Sequence, residues 1–140
     1  MEIKLIKVLL PLVMLTGVAQ AKTDKPFTID NTQIYTDTTL FYSDKNIRPQ
    51  NSDFKVKSAI TMSNEDGERA VLLSVENLSS GRRILEPHHL MVTYADGTAK
   101  VLNSLPDKLS FKGGEIINVT VNLGSSLYPV ISLVTSNNLR

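Results

Sequence analysis

Apolar and polar side chains alternate one for one over much of this chain. Across 115–123, Ile117, Val119, Val121 and Leu123 alternate with Ile116, Asn118, Thr120 and Asn122. Successive side chains of a strand point to opposite faces, so this spacing predicts a strand with one face buried. Across 55–62 the same period puts Val56, Ser58, Ile60 and Met62 on one face and Lys55, Lys57, Ala59 and Thr61 on the other. Residues 70–76 follow, with Val71, Leu73 and Val75 facing one way. Leu72 faces the other, which predicts a cover on both sides of that strand. Asn64-Glu65-Asp66-Gly67 separates the two runs, and Asp-Gly supplies the positive φ of a tight hairpin. A second such hairpin joins 90–94 to 100–102 through Ala95-Asp96-Gly97-Thr98. Residues 130–134 form a last strand, entered through Pro129. Residues 33–42 hold Ile34, Tyr35, Leu40, Phe41 and Tyr42 among Thr36, Thr38 and Thr39, the β-branched and aromatic types that strands favour.

The pattern therefore predicts about seven strands and no amphipathic helix. Residues 77–89 read as a long connection, with Gly81 and Pro87, that carries the chain to a second sheet. Leu105, Leu109 and Phe111 are expected to close one end of the core, and Lys112-Gly113-Gly114 to turn the chain back. Many short strands with regular turns imply an all-β domain. About seven of them resemble a single immunoglobulin-like β-sandwich. The Cys…Trp…Cys signature of true immunoglobulin domains is absent, because the sequence has neither residue type.

The start of the chain follows a different pattern. Lys4 and Lys7 precede an apolar run over 8–18, which ends in Ala19-Gln20-Ala21. Basic, apolar and small-residue segments in that order predict a cleavable signal peptide over 1–21, with the mature chain starting at Lys22. The run is too short for the ~20 residues of a spanning helix, and no later stretch is apolar enough to span. The expected organisation is a signal peptide at 1–21, a flexible tail at 22–27 and the β-sandwich domain at 28–140. The predicted location is the bacterial periplasm or exterior. With no cysteine, the exported domain is held by burial and backbone pairing rather than disulfides. Removing Lys4, Lys7 and Glu2 from 15 basic and 14 acidic residues leaves 13 of each. A neutral chain lacks the basic surface that nucleic acid requires, so no nucleic-acid partner is expected.

Candidate chemistry is sparse. His88 and His89 are the chain's two histidines. Read as the start of a strand, they point to opposite faces and cannot share a metal ion, although one of them with Met62 or Met91 could form a copper site. No serine lies in a nucleophile-elbow sequence, and the acidic residues near Asp66 and Asp96 sit in turns. The expectation is therefore no enzyme, no cofactor and no metal. Asn77-Leu78-Ser79 and Asn118-Val119-Thr120 match glycosylation acceptors, and neither is expected to be used. Arg82 and Arg83 offer guanidinium forks to an anionic partner. Tyr35, Phe41 and Tyr42 lie on a first strand expected at a sheet edge. By elimination, the sequence suggests an exported non-catalytic protein-binding or assembly-accessory module of the bacterial envelope, with an envelope protein as partner. A small periplasmic ligand or copper carrier is the first alternative, and an uncharacterised hydrolase the second.

Overall fold

The computed structural model describes residues 25–31 and 47–139. The signal segment 1–21 and the strand expected over 33–42, with Tyr35, Phe41 and Tyr42, lie outside the described residues. So do residues 22–24 of the expected tail. The remainder is all-β. Nine strands run in chain order: β1 (Thr28–Asn31), β2 (Phe54–Ser63), β3 (Glu68–Asn77), β4 (Arg83–Leu85), β5 (Met91–Tyr94), β6 (Ala99–Val101), β7 (Leu109–Phe111), β8 (Ile116–Ser125) and β9 (Val130–Val134). Two short 3-10 turns, Pro87–His89 and Ser136–Asn138, are the helical pieces among the described residues. Every strand pair is antiparallel. Four strands form a sheet in the order β1-β2-β3-β8, three form one in the order β6-β5-β9, and β4 pairs with β7. Both expected hairpin turns are present, with Gly67 at φ 76° and Gly97 at φ 82°.

One core joins the sheets. Val56, Val71, Leu73, Val75, Val119 and Val121 from the four-stranded sheet meet Leu90, Val92, Tyr94 and Leu133 from the β5–β9 side, with Leu85 and Phe111 from β4 and β7. The Phe54 and Phe111 rings meet edge-on at 5.0 Å, near the end of the core that Phe111 was expected to close.

The straight alternation expected over 55–62 fails at Lys57. Val56 pairs with Val75 but Ser58 pairs with Ser74, so Lys57 is an extra residue on β2. A bulge of this kind shifts the phase by one. Val56 faces inward before it, and Ala59 and Thr61 face inward after it. Ser58, Ile60 and Met62 consequently turn to the outer face. Leu72, expected to be covered, lies on the same outer face and is 36% exposed.

The connection expected over 77–89 contains β4 and the Pro87–His89 turn, so the strand count rises. Asn77 anchors its start. This side chain is fully buried, donates from Nδ2 to the Gly81 and Lys112 carbonyls at 2.8 and 2.9 Å, and accepts the Ser79 amide at 3.0 Å. Its amide nitrogen is engaged and enclosed, which bars glycosylation of the folded chain there. The β7–β8 turn packs so closely on this loop that a Cβ on Gly113 would lie 2.1 Å from the Ser80 carbonyl oxygen.

The C-terminal turn is fastened to the free side of β2. Asn138 donates to the Val56 carbonyl at 2.9 Å and accepts the Val56 amide at 3.0 Å, imitating a paired strand. Asn137 donates to the Ser52 and Phe54 carbonyls, and the Thr135 hydroxyl donates to Phe54 O at 2.6 Å.

Candidate functional site

The histidines do not begin a strand. Pro87 presets the φ of a first helical residue, and Glu86-Pro87-His88-His89 closes into a 3-10 turn in which the His89 amide donates to Glu86 O at 3.0 Å. The turn brings the two rings to 4.8 Å, so the opposite-facing arrangement expected from a strand is overturned. Glu86 Oε2 lies 2.8 Å from His88 Nε2, and one ligand atom from each of Glu86, His88 and His89 falls within 4.8 Å of the others.

A carboxylate with two imidazoles is a donor set that zinc or copper accepts. His89, however, is engaged: its Nδ1 accepts the Glu86 amide at 3.0 Å. Accepting that bond places the neutral ring's proton on Nε2, which leaves neither nitrogen with a free lone pair. Partial burial against Phe54, whose ring lies 5.8 Å away, lowers the His89 pKa, and the neighbouring His88 charge lowers it further, against the opposing pull of Glu86. The turn thus holds itself together through the very atoms a metal would need.

Arg82 and Arg83 are both exposed, but neither is an idle loop tip. Arg83 opens β4, bridges to Asp53 at 2.5 Å and donates to the Arg82 carbonyl. Arg82 donates to Ser110 Oγ on β7 at 3.2 Å. Together they tie β4 to its surroundings.

The remaining feature is the edge strand β8. It is ten residues long, IINVTVNLGS, and carries no charged side chain. Among the described residues it pairs only with β3. The Asn77 amide donates to the Glu115 carbonyl at 2.9 Å. Antiparallel alternation from that pair assigns the ladder bonds with β3 to Ile117, Val119 and Val121, leaving the N–H and C=O of Ile116, Asn118, Thr120 and Asn122 directed away from the sheet. Native edges are usually blunted by charge, proline, a bulge or a cover. Here the first such device is the bulge near Gly124, at φ 74°, beyond Asn122. The strand was legible in the sequence, and so was its lack of charge. Its position at an edge was not, because an edge is defined by which strands fail to pair with it; the sequence pattern instead suggested 33–42.

A cleft of about 270 Å³ opens beside β8. Asn122 and Leu123 line it from β8, Tyr94 from β5, and Lys100, Leu102 and Asn103 from β6 and the segment after it. No helix among the described residues is long and apolar enough to cross a membrane. Comparison with protein-family models, curated proteins and solved structures returned no match, so the functional reading rests on the sequence and the geometry.

Proposed function

We propose that this chain is an exported, non-catalytic protein-binding or assembly-accessory module of the bacterial envelope, built as an immunoglobulin-like sandwich, and that it engages its partner by strand pairing. The basic, apolar and small-residue order of 1–21 supports export. The four- and three-stranded sheets meeting in one core, with the β4–β7 pair contributing Leu85 and Phe111, support the sandwich. The observation that carries the binding reading is β8, a ten-residue uncharged edge with unpaired outward backbone groups among the described residues. An edge of this kind is a template for another chain. Photo-crosslinking in the native envelope from a reactive residue at Asn118, compared with one at Lys55 on β2, tests the proposal. A discrete heteromeric product from Asn118 alone is expected. An uncrosslinked monomer at both positions would refute it.

A second reading, a small copper carrier, draws support from the convergence of Glu86, His88 and His89. The engaged Nδ1 of His89 weighs against it, and the metal titration described below separates the two readings.

A further inference from the structure

Five partly buried apolar residues pack on the main core among the described residues. Ile117 and Leu123 are on β8, Leu109 is on β7, and Leu102 and Leu105 lie between β6 and β7. The other core members are closed over. The core therefore has an incompletely covered seam at β8, where Ile117 and Leu123 lie on the strand whose outward backbone groups are unpaired among the described residues. The cleft bounded by Tyr94, Leu102 and Leu123 opens on this seam. Lys100 stands in that cleft and makes no ion pair among the described residues.

We propose that β8 receives an extended segment of a partner polypeptide as a fifth strand of the four-stranded sheet, with apolar side chains at alternate positions closing the seam and a carboxylate meeting Lys100. This inference rests on the strand-pairing reading above and specifies its ligand. The backbone of the incoming segment bonds the outward groups of Ile116, Asn118, Thr120 and Asn122, a run of about 20 Å at strand spacing. Its residues opposite Ile117, Val119, Val121 and Leu123 face the core side, because directly opposed residues share a face. Those positions require apolar side chains. The intervening positions face solvent with Asn118 and Thr120 and are free to be polar. A charged residue at a core-facing position is excluded except at the cleft end, where Lys100 supplies the counter-charge.

The test uses a displayed library of random 12-residue peptides selected on the folded full chain, with affinities of the selected peptides then measured by fluorescence polarisation. The expected consensus alternates apolar and polar residues over at least five positions and carries Asp or Glu toward one end. Thr120→Pro removes one outward N–H while Val119 and Val121 keep the ladder with β3, so the variant should fold and bind at least tenfold more weakly. Lys100→Glu, an exposed change, should weaken the same peptides and shift reselection toward Lys or Arg at the acidic position. No enrichment, a consensus without alternation, or unchanged affinity in folded Thr120→Pro would overturn the inference. Should Thr120→Pro fail to fold, unchanged selection by Lys100→Glu overturns it instead. Envelope crosslinking that persists in Thr120→Pro would remove this inference while leaving the general binding reading intact.

Discussion

Replacing Asn138 with alanine tests whether the C-terminal turn is a structural part of the sheet. The wild-type side chain makes three well-formed bonds: Nδ2 to Val56 O at 2.9 Å, Val56 N to Oδ1 at 3.0 Å, and Thr135 N to Oδ1 at 3.1 Å. The Thr135 hydroxyl also lies 2.9 Å from Oδ1, but its one proton is committed to Phe54 O. Each bond contributes about 1 kcal/mol net. The groups are part-buried, so water recovers a fraction when the side chain is removed. The expected loss is about 2–3 kcal/mol, or roughly 8–12 °C in Tm for a domain of this size. Urea denaturation followed by far-ultraviolet circular dichroism measures it. Hydrogen exchange supplies a local readout, because the Val56 amide should lose protection ahead of its neighbours on β3. Asn138→Asp keeps both acceptor bonds but turns an oxygen toward the Val56 carbonyl, so it should also destabilise at neutral pH. A stability within about 0.5 kcal/mol of wild type for Asn138→Ala, with Val56 still protected, would refute the reasoning: substitutions that touch nothing structural fall in that range.

Val119→Asp places a carboxylate on the inward face of β8, where Val119 is 8% exposed, and should unfold the domain or cost several kcal/mol; a native-like circular dichroism melt would contradict it. His89 should make stability pH-dependent: its folded pKa lies below the ordinary histidine value through burial and His88, so the unfolded chain binds more protons in the interval between the two values. Stability is therefore full above about pH 6.5 and declines as pH falls through the folded pKa, and His89→Ala should flatten that decline while losing about 1 kcal/mol from the uncapped Glu86 amide. Titration with copper(I), copper(II) and zinc should show no complex tighter than about 1 μM, and a stoichiometric tighter complex lost in His88→Ala or His89→Ala would promote the carrier reading.

The elements that announced themselves in sequence did so for local reasons. β8 shows period 2 from Ile117 to Leu123, and the two Asp-Gly turns supply the left-handed conformation that a hairpin requires. The misreadings have non-local causes. Lys57 looks like any other polar position in an alternating run. It becomes a bulge only because Val75 and Ser74, consecutive on β3, pair with Val56 and Ser58. β4 and β7 are three residues each, too short to display a period, and exist as strands through their mutual pairing. The Pro-His-His segment is compatible with a strand start or a turn. The bond from the Glu86 amide to His89 Nδ1 belongs to the turn, and no side-chain pattern signals it in advance. The site divides in the same way: the uncharged composition of β8 is printed in the sequence, whereas its unpaired side depends on the order in which strands assemble.

That order gives the edge its meaning. Among the described residues, the outer strands of the four- and three-stranded sheets other than β8 carry a device against pairing. β1 contains Asp30, β6 contains Lys100, and β9 is five residues long and follows Pro129. The open stretch of β2 at Phe54 and Val56 is covered by side-chain amides from the C-terminal turn. Protection is thus supplied even where it needs a dedicated asparagine, which makes the run from Ile116 to Asn122, left bare among the described residues, a departure from that pattern rather than an instance of it. Ile117 and Leu123 on β8, and Leu102 beside them in the cleft, are only partly buried. One added strand would satisfy both deficits together, pairing the backbone groups and covering the apolar seam. A ligand that binds only the folded state stabilises it in proportion to the logarithm of its concentration over Kd. The isolated domain should accordingly be less stable than its bound form, and its tendency to self-associate should reside in β8.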